Sequence, residues 1–177
     1  MIAFLVSAIR LGMAFLFGST GETITQKSGH LNLGIPGVMC VGAACGCYAE
    51  YIYFDIVKRN INPFLAIIIP ILATVIGGAL CGFLFSFLTV TLRANQNVTG
   101  LALTTFGVGL SDFMIAQTGP VYSKGSRYFT APLPFADKLG WFGEIFLSHG
   151  ILIYLAIAIA LISSFVLFKT KIGLNLR

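Results

Sequence analysis

Apolar residues fall into five long runs separated by short polar breaks. The runs are Ile2 to Gly18, Pro36 to Phe54, Pro63 to Val90, Val98 to Ala116 and Ile151 to Phe168. About 20 apolar residues in helical form cross the hydrocarbon core of a bilayer, so each run predicts one spanning helix. No charge interrupts the third run, whose 28 positions exceed what a bilayer needs. It must tilt, kink near Pro70 or protrude. The fold class expected is an all-α integral membrane protein of about five spanning helices, with a broken or re-entrant segment before the second.

That break is Gly29-His30-Leu31-Asn32-Leu33-Gly34-Ile35-Pro36-Gly37-Val38-Met39. Ahead of it, Gly21-Glu22-Thr23-Ile24-Thr25-Gln26-Lys27-Ser28 reads as too polar to span lipid. In a helix interior glycine costs about 1 kcal/mol and proline about 3. At a first helical position proline costs little, because that N–H has no helical partner anyway. Pro36 therefore reads as the start of a helix and residues 29–35 as irregular backbone. Two readings stay open. Irregular backbone at membrane depth persists where it is buried or lines a wet cavity, and transporters build pathways at helix N-termini of this kind. Otherwise the stretch is a cytoplasmic loop ahead of an ordinary helix start.

Composition agrees with the pattern. Hydrophobic residues make up 57% of the chain and charged ones 10%, against roughly 25% charged in soluble domains; mean hydropathy is +0.93. The first run lacks a basic leader and carries Arg10 at its middle, so it reads as a retained helix rather than a signal peptide. A net charge of +5 is scattered along the chain and points to no nucleic acid. Cys40, Cys45, Cys47 and Cys81 all lie inside apolar runs and read as small packing residues.

Few positions carry chemistry. Gly21 to Ser28 nearly spells a phosphate-binding loop, but Gln26 replaces its second glycine and no strand precedes it, so it is rejected as a nucleotide site. Gly42-x3-Gly46 and Gly78-x3-Gly82 allow close helix packing and identify no function. Asn95, Gln96 and Asn97 offer donors and acceptors without charge, suited to sugar or nucleoside hydroxyls. Their alternative is a polar turn with Asn97 as the N-cap of the fourth helix. Arg10 and Asp112 are costly facing lipid; Arg10 reads as facing the bundle and Asp112 as within reach of the interface. His30 and His149 have no second ligand nearby, and no catalytic constellation, metal site or cofactor site is read.

The stretch from Gly21-Glu22 through Asn32-Leu33-Gly34-Ile35-Pro36-Gly37 to Gly42-Ala43 resembles the signature of one ABC importer permease family. It is the family of the ribose, branched-chain amino acid and nucleoside systems, and the nearest likeness is to nucleoside or simple-sugar permeases. Pro36 stands where nucleoside members usually carry a glutamate. Residues 93–103 and 169–177 are similar to two further family motifs. The resemblance implies a non-enzymatic transport subunit in a bacterial plasma membrane, carrying nucleosides, ribose-like sugars or a related polar solute. Its implied partners are a separate ATPase, an extracellular substrate-binding lipoprotein and a second permease subunit. The implied pathway residues are Gly29, Asn32, Gly34, Gly37, Asn95, Gln96 and Asn97. Lys171, Gly173 and Arg177 would lie toward the ATPase. Residues 1–177 would form the N-terminal part of a longer permease, as a truncation, fragment or split subunit. A small self-sufficient channel or secondary carrier is the rival reading. Charge does not orient the chain: Lys27, Arg93, Lys169, Lys171 and Arg177 fall on one side, and Lys58, Arg59, Lys124, Arg127 and Lys138 on the other. The positive-inside rule returns a tie. The C-terminal motif, which in the family leads into the cytoplasmic coupling loop, implies an outside N-terminus.

Overall fold

The computed structural model describes residues 2–57, 61–118, 129, 150–171 and 173. Lys58, Arg59, Lys124, Arg127, Lys138, Trp141, His149 and Arg177, which entered the sequence reading, lie outside the described residues. Among the described residues five helices are long and apolar enough to cross a membrane: α1 (Ile2–Lys27), α2 (Ile35–Val57), α3 (Pro63–Ser86), α4 (Gln96–Thr118) and α5 (Ile151–Lys169). Together with the family assignment below, they make this a multi-pass protein of the plasma membrane.

α1 runs past its apolar stretch. Residues 21–27, read from the sequence as too polar to span lipid, continue the helix. Hydroxyls here are satisfied within the helix: Thr23 and Thr25, like Thr20 just before them, each donate to the carbonyl four residues earlier, at 2.8, 3.0 and 2.7 Å. The Gln26 amide reaches the Glu22 carboxylate one turn back at 2.9 Å. Hydroxyls bonded this way expose little polarity, so counting polar residues overstated the break.

α3 stays helical through its whole apolar run, 29 residues from Pro63 to Thr91. After Ser86 it widens into a π-helical turn, Phe87–Thr91, with the Leu92 N–H donating to the Phe87 carbonyl at 3.2 Å. Pro63 occupies the first turn, where proline is tolerated, and Pro70 sits buried within the helix.

The chain divides into two compact units, Met1–His30 with Phe129–Arg177, and Leu31–Tyr128. In the first, α1 and α5 run parallel. Thr20 and Thr23 line a cavity of about 170 Å³ with Ser163 and Ser164, and the Lys27 ammonium lies 5.3 Å over the Phe168 ring. The lysines that end these helices therefore share one end of the unit.

In the second unit, α2 packs against α3 on one side and α4 on the other. α3 runs antiparallel to α2 at very short range. A Cβ on Gly42 would come 3.2 Å from the Thr74 carbonyl, and one on Gly77 would come 2.6 Å from Cys45 Sγ. A Cβ on Gly46 would collide with the Thr74 hydroxyl. On α3 it is thus Gly77 that permits the approach. A Cβ on Gly82 would meet nothing, and one on Gly78 only Val38 at 3.9 Å. Tyr53, Phe54 and Ala66 close the far end of this interface. Glu50, one turn from Gly46, is buried at 5% exposure, and its Oε1 has no hydrogen-bond partner among the described residues.

Candidate functional site

The polar break resolves into two joined devices. The first ends α1. Gly29 holds φ at +83°, the left-handed region that glycine enters without Cβ strain. Its N–H donates to the Gln26 carbonyl at 3.0 Å, and that of His30 to the Thr25 carbonyl at 3.2 Å. This is the paired hydrogen-bond pattern of a Schellman cap. The second device starts α2. Asn32 Oδ1 accepts from the Gly34 N–H at 2.9 Å, tying down the backbone one residue before the helix begins at Ile35. Pro36 is the second helical residue, one place later than the sequence suggested.

α4 starts the same way. Asn95 Oδ1 accepts from the N–H groups of Asn97 and Val98 at 3.0 and 3.4 Å. The cap is therefore Asn95 and not Asn97. The asparagine that precedes the first free N–H groups of a helix is the one that can satisfy them. Ahead of it, Arg93 turns the chain at φ 53°.

The two starts lie side by side because α2 and α4 run parallel with almost no side chain between them. A Cβ on Gly100 would come 2.9 Å from the backbone nitrogens of Leu33 and Gly34, and one on Gly37 would come 2.6 Å from Thr104 Cα. From the other side, a Cβ on Gly107 would come 2.5 Å from the Gly37 carbonyl oxygen. Each obstruction is backbone, which cannot swing away. Polar groups then stitch the contact. The Leu31 N–H donates to Gln96 Oε1 at 3.0 Å, and the Thr104 hydroxyl donates to the Leu33 carbonyl at 2.8 Å. Irregular backbone in the bilayer needs partners of this kind from protein.

The structure thus brings Asn32, Gly34, Gly37 and Gln96 into one cluster. Asn95 and Asn97 sit beside it, both exposed. Gly29 caps α1 in the other unit. Thr104, Leu103 and Gly107 complete the cluster, and the sequence reading did not single them out. The glycines at 100 and 107, two helical turns apart, were the available signal. Lys171 is exposed past the end of α5, and Gly173 is buried, where a Cβ would collide with the Leu167 carbonyl. Arg10 and Asp112 are both exposed, so Arg10 does not face a bundle interior among the described residues. The same residues hold no group of three or more potential metal ligands, and all four cysteines are free thiols.

Spanning helices joined by capped, glycine-packed breaks define a polytopic membrane protein. The chain belongs to the family of the branched-chain amino acid transport system permease component, whose model matches residues 4–177. It is 31% identical over 175 residues to the nucleoside ABC transporter permease protein NupC of Lactococcus lactis subsp. cremoris, covering 92% of this chain and 50% of that one. It is 29% identical over 167 residues to the guanosine ABC transporter permease protein NupQ of Bacillus subtilis, covering 89% and 49%. The chain spans about half the length of these curated relatives. No solved structure matches it.

Proposed function

We propose that this chain is the N-terminal part of an ABC importer permease and lines a membrane path for nucleosides. The family match over residues 4–177, together with relatives named for nucleoside and guanosine transport, carries the reading. An extracellular lipoprotein delivers the solute, a separate ATPase drives the change between outward and inward states, and a second permease subunit completes the channel. The paired starts of α2 and α4 flank the path. There the exposed carboxamide of Asn97 is available to solute, while Asn32, Asn95 and Gln96 hold backbone. Gly29 ends α1, Gly34 lies in the turn before α2, and Gly37 lets α2 lie against α4. Lys171, Gly173 and Arg177 lie toward the ATPase.

The test is uptake of labelled guanosine by proteoliposomes that hold the chain, the remaining permease sequence, the ATPase and the binding protein. ATP-dependent accumulation that unlabelled nucleosides compete away, and glucose does not, is the expected result. Accumulation driven by an ion gradient without ATP would establish the secondary-carrier alternative instead. Competition by glucose alone would replace the nucleoside with a simple sugar.

A further inference from the structure

We infer that one face of α1 is a docking surface for a transmembrane helix that brings a carboxylate to Arg10, supplied by permease sequence outside this chain. The inference rests on the permease reading above. Arg10 stands eight residues into α1, about 12 Å along the helix at 1.5 Å per residue, and it is exposed. Arginine at hydrocarbon depth is costly against lipid and characteristically pairs with another group inside a protein assembly. The described residues of its own unit supply no such group within reach. Among the described residues of α1 and α5, Glu22 is the one carboxylate. It lies twelve residues further along the same helix, about 18 Å away, and it accepts from Gln26.

The surroundings of Arg10 suit a helix. Ser7, Ala14, Gly18 and Gly21 recur at spacings of three and four residues and share its face. Ser7, Ala14 and Gly21 are exposed, and a Cβ on Gly21 would meet nothing within 4 Å. Small residues spaced in this way let a second helix approach backbone to backbone. α5 occupies another side of α1, against Thr20, Thr23 and Lys27, and leaves this face open. Charge selects the occupant, because a guanidinium forks two hydrogen bonds onto a carboxylate. Length supplies it: the relatives carry about as much sequence again as they share with this chain.

A photo-reactive residue at Ala14, in the chain expressed in its native membrane, reads the occupant directly when the adduct is sequenced. The expected adduct is an apolar segment of permease sequence with Asp or Glu within one turn of the linked atom. Its yield should fall about tenfold in Arg10→Leu, equivalent to 1.4 kcal/mol, and should fall much less in Arg10→Lys, which keeps the charge. Lipid adducts alone, an adduct confined to the chain's own mass, an apolar partner without a carboxylate, or an unchanged yield in Arg10→Leu would each overturn the docking surface. Nucleoside uptake measured in the same membranes keeps the two readings apart. Lipid adducts with uptake intact sink the docking surface and spare the permease, whereas the expected adduct without ATP-driven uptake spares the docking surface and sinks the permease.

Discussion

At Gly37 and Gly107 a hydrogen atom is all the space between α2 and α4 admits. Gly37→Ala places a methyl group 2.6 Å from Thr104 Cα, and the two helices must part to receive it. Overpacking of this kind costs about 1–3 kcal/mol, so thermal unfolding in detergent should come at clearly lower temperature. Gly82→Ala is the matched control, because its Cβ would meet nothing. It should be neutral or gain up to about 1 kcal/mol from helix propensity. Asn32 separates two roles for one side chain. Its Oδ1 accepts from the Gly34 N–H, a task a carboxylate does equally well, so Asn32→Asp should keep the fold. Asn32→Ala should lose about 1 kcal/mol as a missing cap. If Asn32→Asp is as unstable as Asn32→Ala, the side-chain oxygen is not what holds the turn. The glycines and asparagines were conspicuous in the sequence as breakers. Their partners were not, because a contact such as Thr104 to Leu33 joins residues 71 positions apart, and local pattern carries no trace of it.

The helices themselves were largely legible. Hydropathy located all five, since lipid demands long apolar runs and leaves little else to compete with the signal. Boundaries shifted where side chains hid their own polarity, as along residues 21–27 of α1, and the π-helical turn after Ser86 left no trace in hydropathy. Glu50 was invisible as a feature of interest because one acid in an apolar run reads as a blemish. Yet among the described residues it is the buried side chain with an unpartnered oxygen, on a helix whose neighbouring turns contact α3. A buried polar group without a partner costs about 1–3 kcal/mol. Glu50→Met should therefore raise the unfolding temperature. If it lowers that temperature, the carboxyl has a stabilising partner after all. If the temperature rises while uptake falls, the cost is retained for function.

For the whole molecule, orientation is the quantity that charge left tied, and the C-terminal motif's resemblance implies an outside N-terminus. Single cysteines at positions 124 and 171, in a background without the four native ones, test it with an impermeant thiol reagent on intact cells. Position 124 should label and position 171 should stay protected. The reverse pattern would invert the topology and remove Lys171 from the ATPase side. Parallel packing of α1 with α5 already groups Lys27 with Lys169 at one end of their unit, which is the grouping the topology requires. What the sequence could not supply was the pairing of helices. Burial against lipid and burial against protein use the same apolar residues, and only the glycines distinguish the two.

Phe87–Thr91 winds more loosely than the helix it continues, since its closing hydrogen bond reaches back five residues from Leu92 to Phe87. The turn ends the helix: Arg93 then reverses the chain at positive φ, and the Ala94 N–H reaches back to the Leu88 carbonyl at 3.0 Å. The last N–H groups of α3 thus close on carbonyls five and six residues back, so the chain can swing round to the start of α4 without leaving them unpaired.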